Sequence, residues 1–88
     1  MSGGHFEYNQ YRIFEIAEEI GRVIAENDKS EYPYDKAIVD RLKQAAKNIK
    51  VAYIFAQRVD WLLSGDDGPD AFMRRLDEEL AFELTRQV

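Results

Sequence analysis

Apolar residues in this chain recur at three- and four-residue steps through three stretches, the spacing of amphipathic helices. In the first, Ile13, Ile16, Ala17, Ile20, Val23 and Ile24 form one stripe and predict a helix from about Asn9 to about Glu26. Asn9 is its candidate N-cap, because an asparagine oxygen can accept an orphan backbone N–H. Gly21 falls inside that helix, where it costs roughly 1 kcal/mol relative to alanine, and it predicts close approach of another helix or of a ligand. In the second stretch, Ile38, Leu42, Ala45, Ile49, Ala52, Ala56, Val59 and Leu63 make a near-heptad seam and predict a helix from about Asp35 to Leu63. The third stripe, Phe72, Met73, Leu76, Leu80 and Leu84, predicts a helix over about 69–86. Pro69 suits its first position and Asp70 its first turn. Turn formers separate the helices: Asn27 to Tyr34, with Pro33, and Ser64-Gly65-Asp66-Asp67-Gly68-Pro69.

The predicted fold class is therefore all-α, a single helical domain over 1–88 with a long central helix. That helix spans roughly 45 Å at about 1.5 Å per residue, too long for its neighbours to cover. Val51, Tyr53, Ile54, Phe55 and Leu62 spread apolar surface around it, beyond the seam. A helix apolar on several faces must bury them, and another copy of the chain does so most simply. The pattern predicts a homo-oligomer built through the central helix.

Composition narrows the classes. The chain lacks cysteine, which excludes disulfides and thiolate metal sites and fits a reducing cytosol. Its N-terminus has neither a basic nor an apolar leader region, so no signal peptide is expected. Polar Gln57, Arg58 and Asp60 interrupt the most apolar stretch, Val51 to Leu63, so no membrane span is expected. The net charge of −5 argues against general DNA or RNA binding. The charge is uneven, however: Arg41, Lys43, Lys47, Lys50 and Arg58 lie in a stretch with no acidic residue, and both flanks are acidic. This allows either packing of a basic helix on acidic neighbours or a local anion site.

Catalytic chemistry is not recognisable. The one histidine, His5, stands in a glycine-rich end, and no serine or threonine has a histidine base at a known spacing. No phosphate-cradling glycine fingerprint occurs. Neither cofactor nor metal is expected, and the acidic loop Asp66-Asp67-Gly68-Pro69-Asp70 reads as a turn with helix-capping acids rather than a calcium loop.

The opening segment, Gly3-Gly4-His5-Phe6-Glu7-Tyr8-Asn9-Gln10-Tyr11-Arg12-Ile13, sets aromatics beside amides and a guanidinium. Such a set either staples a helix entrance or holds a flat anionic ligand such as a nucleotide. Tyr8 and Tyr11 suit base stacking or core packing; Arg12 and Arg22 suit phosphates or pairing with Glu15, Glu18, Glu19 or Glu26. Arg58, in Ala56-Gln57-Arg58-Val59-Asp60-Trp61, must snorkel, pair or meet an anion, and Asp60 cannot face it from two residues away.

Together, the opening segment with Ile16-Ala17-Glu18-Glu19-Ile20, and Ala56-Gln57-Arg58-Val59-Asp60-Trp61-Leu62-Leu63-Ser64-Gly65-Asp66-Asp67-Gly68, resemble the phage anti-CBASS protein 2 family. CBASS is a bacterial defence in which cyclic di- or trinucleotides activate a killing effector. The resemblance implies a helical homohexamer in the host bacterial cytoplasm that sequesters these messengers without cleaving them. It implies cyclic dinucleotide binding between paired protomers, with Tyr8 and Asn9 as the stacking end, Tyr11 and Arg12 beside them, and Arg22 at phosphate. It implies cyclic trinucleotide binding where three protomers meet, with Arg58 as the contact. Phe6 is then left for packing on the first turns of helix 1.

Overall fold

A computed structural model describes residues 6–85. Its helices are α1 (Gln10–Ala25), α2 (Lys36–Leu63) and α3 (Pro69–Thr85), with a short 3-10 turn at Asn27–Lys29 after α1, and the described residues contain no strand. The all-α class read from the pattern is thus observed. His5, and the expected end of the third helix at position 86, lie outside the described residues.

Local chemistry sets the boundaries. Asp35 caps α2: its Oδ1 accepts the Ile38 amide at 3.1 Å. Upstream, Asn27 bonds both backbone groups of Tyr34, accepting its N–H at 2.9 Å and donating to its carbonyl at 3.1 Å, which closes the connecting loop. At the other end of α2, Gly65 takes φ +86°. There the Asp66 amide donates to the Trp61 carbonyl at 2.9 Å and the Gly65 amide to Leu62 at 3.2 Å. This paired closure is a Schellman stop, which needs a residue at ease in the left-handed region.

The three helices lie side by side. α2 packs against α1 and against α3, whereas α1 and α3 do not touch. The chain measures 49 × 27 × 13 Å, and α2 alone accounts for about 42 Å of its length. Its radius of gyration is 15.8 Å, against about 12 Å for a compact domain of this length. The molecule is one helix thick, and its core is correspondingly thin: among the described residues, Ala17, Ala46 and Leu76 are the buried hydrophobic ones.

That slab changes the reading of the stripes. Ile13, Ala17, Ile20 and Ile24 turn toward α2, but Ile16 and Val23 stand exposed. Ile38, Leu63, Met73 and Leu84 are also exposed, as is Phe82. Periodicity identified apolar faces correctly, but one layer of helices cannot cover both sides of each. The close approach expected at Gly21 is likewise missing within the protomer, since a Cβ built there meets nothing within 4 Å. Gly21→Ala is therefore expected to stabilise the protomer by about 0.5–1 kcal/mol, through helix propensity and a less flexible unfolded chain. Urea denaturation at fixed protein concentration checks this, and a loss of stability would mean that a second chain packs against the glycine.

Candidate functional site

The entrance to α1 is built on an unusual backbone. Glu7 has φ +54° and Tyr8 φ +65°, consecutive non-glycine residues in the left-handed region. Each such residue costs about 1–2 kcal/mol. The turn closes through the Asn9 amide on the Phe6 carbonyl (3.0 Å) and the Tyr11 amide on the Tyr8 carbonyl (3.1 Å). Asn9 occupies the N-cap position of α1, but its side chain accepts no capping bond, which corrects the expectation. Its own backbone is helical, so the side chain is not set to reach back to the next amides.

Two residues of α2 anchor this turn. The Phe6 amide donates to Asp60 Oδ1 at 2.7 Å, and Gln10 Nε2 donates to Gln57 Oε1 at 2.7 Å. Asp60 and Gln10 are buried, so Gln10 does not present its amide to a base edge. Phe6 is half-buried and, with Asn9, Gln10, Ile13 and Ala56, lines a cavity of about 460 Å³ between the turn and α2. The packing role expected for Phe6 fits this position.

Outward from the turn runs a row of rings. Tyr8 and Tyr11 lie 6.0 Å apart between centroids, Tyr11 and Tyr53 5.9 Å, and Phe14 and Tyr53 5.2 Å, all tilted. Tyr8, Tyr11 and Phe14 are exposed, whereas Tyr53 of α2 is half-buried, and burial together with the adjoining Tyr11 pushes its hydroxyl above the ordinary tyrosine range. Arg12 is exposed and pairs with no carboxylate among the described residues. Arg22 is also exposed but is engaged by Glu19, which raises its pKa through a side-chain hydrogen bond and charge attraction. Tyr11 and Arg22 lie on nearly the same face of α1, about 16 Å apart along its axis. The structure thus brings Tyr8, Asn9, Tyr11 and Arg12 together and leaves Arg22 at the far end of the helix.

Arg58 belongs to a separate cluster between α2 and α3. It is 4% exposed, with its guanidinium carbon 4.1 Å from the Trp61 ring centroid. Its Nη1 donates to Asp67 Oδ2 at 3.1 Å. Its Nε stands 3.2 Å from Glu79 Oε1, at ion-pair distance but without hydrogen-bond alignment. Asp67 is buried and also accepts from Arg75 Nη1 at 3.1 Å. The loop acids were expected to cap a helix; Asp67 instead sits between two arginines, because the Schellman stop folds the chain back over α2. Tyr53, Ile54, Trp61 and Phe82 complete an open pocket of about 450 Å³ over Arg58 and Glu79. Lys47 likewise reaches α3, donating to the Leu84 carbonyl at 2.9 Å. Arg58 thus follows the packing alternative for the basic stretch, whereas Lys47 meets a backbone carbonyl rather than an acid.

Sequence reasoning missed Asp60, Asp67, Arg75 and Glu79. A signal existed for Asp67, since pairing with an acid is one way to satisfy an arginine in an apolar stretch, and the turn beyond it is rich in aspartates. No helix among the described residues is long and apolar enough to cross a membrane. Comparison with protein-family models, curated proteins and solved structures finds no match to this chain.

Proposed function

We propose that this protein binds and sequesters cyclic di- and trinucleotide messengers as a symmetric helical oligomer, without cleaving them. In this reading it is a phage counter-defence protein of the anti-CBASS type. The observation that carries the reading is the exposed row of Tyr8 and Tyr11 beside Arg12, which pairs with no carboxylate among the described residues, held on a strained backbone at the entrance of α1. Strain of this kind persists where the surroundings over-determine a geometry that function uses. Ring faces hold bases and a free guanidinium holds phosphate.

The spacing along α1 supports a shared site. One protomer cannot bring Tyr8 and Arg22 to one small ligand, but two α1 helices running antiparallel place the Tyr8 end of each beside the Arg22 end of the other. The exposed apolar residues of the slab supply surface for such pairing, since large uncovered patches mark association. The trinucleotide role of Arg58 requires phosphate to displace Glu79, whose side chain is half-exposed, while Asp67 and Trp61 keep the guanidinium in place.

A second reading, an oligomeric protein-interaction module with no nucleotide ligand, draws on the Arg58 cluster, whose charges are already paired within one chain. One experiment separates the two. Purified protein is mixed with a cyclic dinucleotide or trinucleotide, then removed by heat and proteolysis, and the free nucleotide is assayed. Intact messenger is expected to be depleted before release and fully recovered after it. Linear products would replace sequestration with hydrolysis, and no depletion at all would favour the interaction module.

A further inference from the structure

The Tyr8 platform is closed by two bonds within its own turn, Asn9 N–H to the Phe6 carbonyl and Tyr11 N–H to the Tyr8 carbonyl, and these reach only its immediate neighbours. Glu7 and Tyr8 adopt left-handed backbone that neither residue favours, and the α1 entrance has no side-chain cap. What fixes it further comes from α2, through bonds that span 54 and 47 positions of the sequence. Asp60, 2% exposed, accepts the Phe6 amide at 2.7 Å immediately before the strained pair. Gln57, one turn earlier on the same face of α2, accepts from Gln10, the second residue after the pair. The strained pair is thus bracketed on both sides. The two anchors differ in kind: the Gln57 bond joins neutral amides, whereas the Asp60 bond carries a charge and is the stronger.

We infer that Asp60 is a positioning residue for nucleotide binding: by accepting the Phe6 amide it holds Glu7 and Tyr8 in the left-handed turn and so aims Tyr8 outward as a stacking platform. This rests on the reading of Tyr8 as a dinucleotide contact. Asp60 itself faces the interior and touches no ligand. Its effect on affinity is through the fraction of chains whose entrance is correctly folded. If losing the anchor leaves about one chain in ten competent, apparent affinity falls about tenfold.

The test uses the full chain as native protein and as Asp60→Ala, Asp60→Asn and Tyr8→Ala. A cyclic GMP–AMP dinucleotide is titrated by calorimetry, and the exchange of the Phe6 backbone amide is followed by NMR. In the native chain the Phe6 amide is expected to be protected. Asp60→Ala is expected to lose that protection and to bind the dinucleotide about tenfold more weakly, with helix content and assembly mass unchanged. Asp60→Asn, which keeps an acceptor oxygen, is expected to restore most of both. A Phe6 amide exchanging at the free-peptide rate in the native chain overturns the inference, whatever binds. Native affinity in Asp60→Ala, with binding lost in Tyr8→Ala, also overturns it. Failure of the native chain to bind the dinucleotide overturns the platform and its positioning together, and Phe6 protection then still reports whether the anchor exists. Should Asp60→Ala not fold, the asparagine variant and the native exchange rate decide the matter.

Discussion

Asp67→Ala is expected to destabilise the protein by about 3–5 kcal/mol, the usual consequence of removing one partner from a buried ion pair. The Arg58 and Asp67 side chains are only 5% and 3% exposed, so little water is available to replace the lost carboxylate. Glu79 offers a poorly aligned substitute, and Arg75 loses its contact as well. A domain of this size has in total about 4–13 kcal/mol of stability, so the variant should be largely unfolded at moderate urea. Asp67→Asn, which keeps oxygen acceptors but not the charge, should fall in between. Replacing Arg58 and Asp67 together by apolar residues of similar volume should recover most of the loss, because it removes the stranded charge as well as the pair. Denaturation followed by helical circular dichroism, at matched protein concentrations, measures each variant. A loss below about 1 kcal/mol for Asp67→Ala would place the pair in the range of surface salt bridges and end the case for a buried cluster.

Tyr8→Ala is expected to weaken cyclic dinucleotide binding by at least about 30-fold. Base–aromatic stacking is worth about 1–3 kcal/mol per base, and a site shared by two protomers loses a platform under each of two bases, roughly 2–6 kcal/mol in all. The side chain is exposed, so truncating it should leave the fold intact. Tyr8→Phe keeps the ring face and should retain most of the affinity, which separates stacking from any role of the hydroxyl. Titration calorimetry supplies both numbers. Unchanged affinity in Tyr8→Ala would move the dinucleotide away from the α1 entrance.

The sequence and the structure agree where the signal is local. Asp35, Gly65 and Pro69 mark helix boundaries in the chain and serve as boundaries in the fold, because caps and stops depend on a few neighbouring residues. Asn9 shows the limit: its cap chemistry was readable, but a strained turn whose Phe6 amide is anchored on Asp60, 54 positions away, leaves its side chain out of use. Ile16 and Val23 carry the correct period yet are uncovered, since a period defines a face and says nothing about what lies over it. Arg58 could be recognised as needing a partner, but the partner was set by the Schellman turn, a geometry made only when Gly65 turns left-handed. Tyr8, Tyr11 and Arg12 were legible as a cluster because they are neighbours in sequence. The distance separating Arg22 from them became meaningful only with helix length.

The side-by-side arrangement of the helices also determines how the chain folds. Each helix touches only the one before or after it, and no contact joins the first helix to the last. Both connecting loops are short and only helices adjacent in sequence pair, so secondary structure and pairing should form in microseconds to milliseconds, as in helical bundles. Nothing then locks the outer helices to each other: α1 and α3 can each fray from α2 without disturbing the other, giving two separately opening units rather than one. In hydrogen exchange the middle of α2 should be the last part to exchange, and the two edges should report independently.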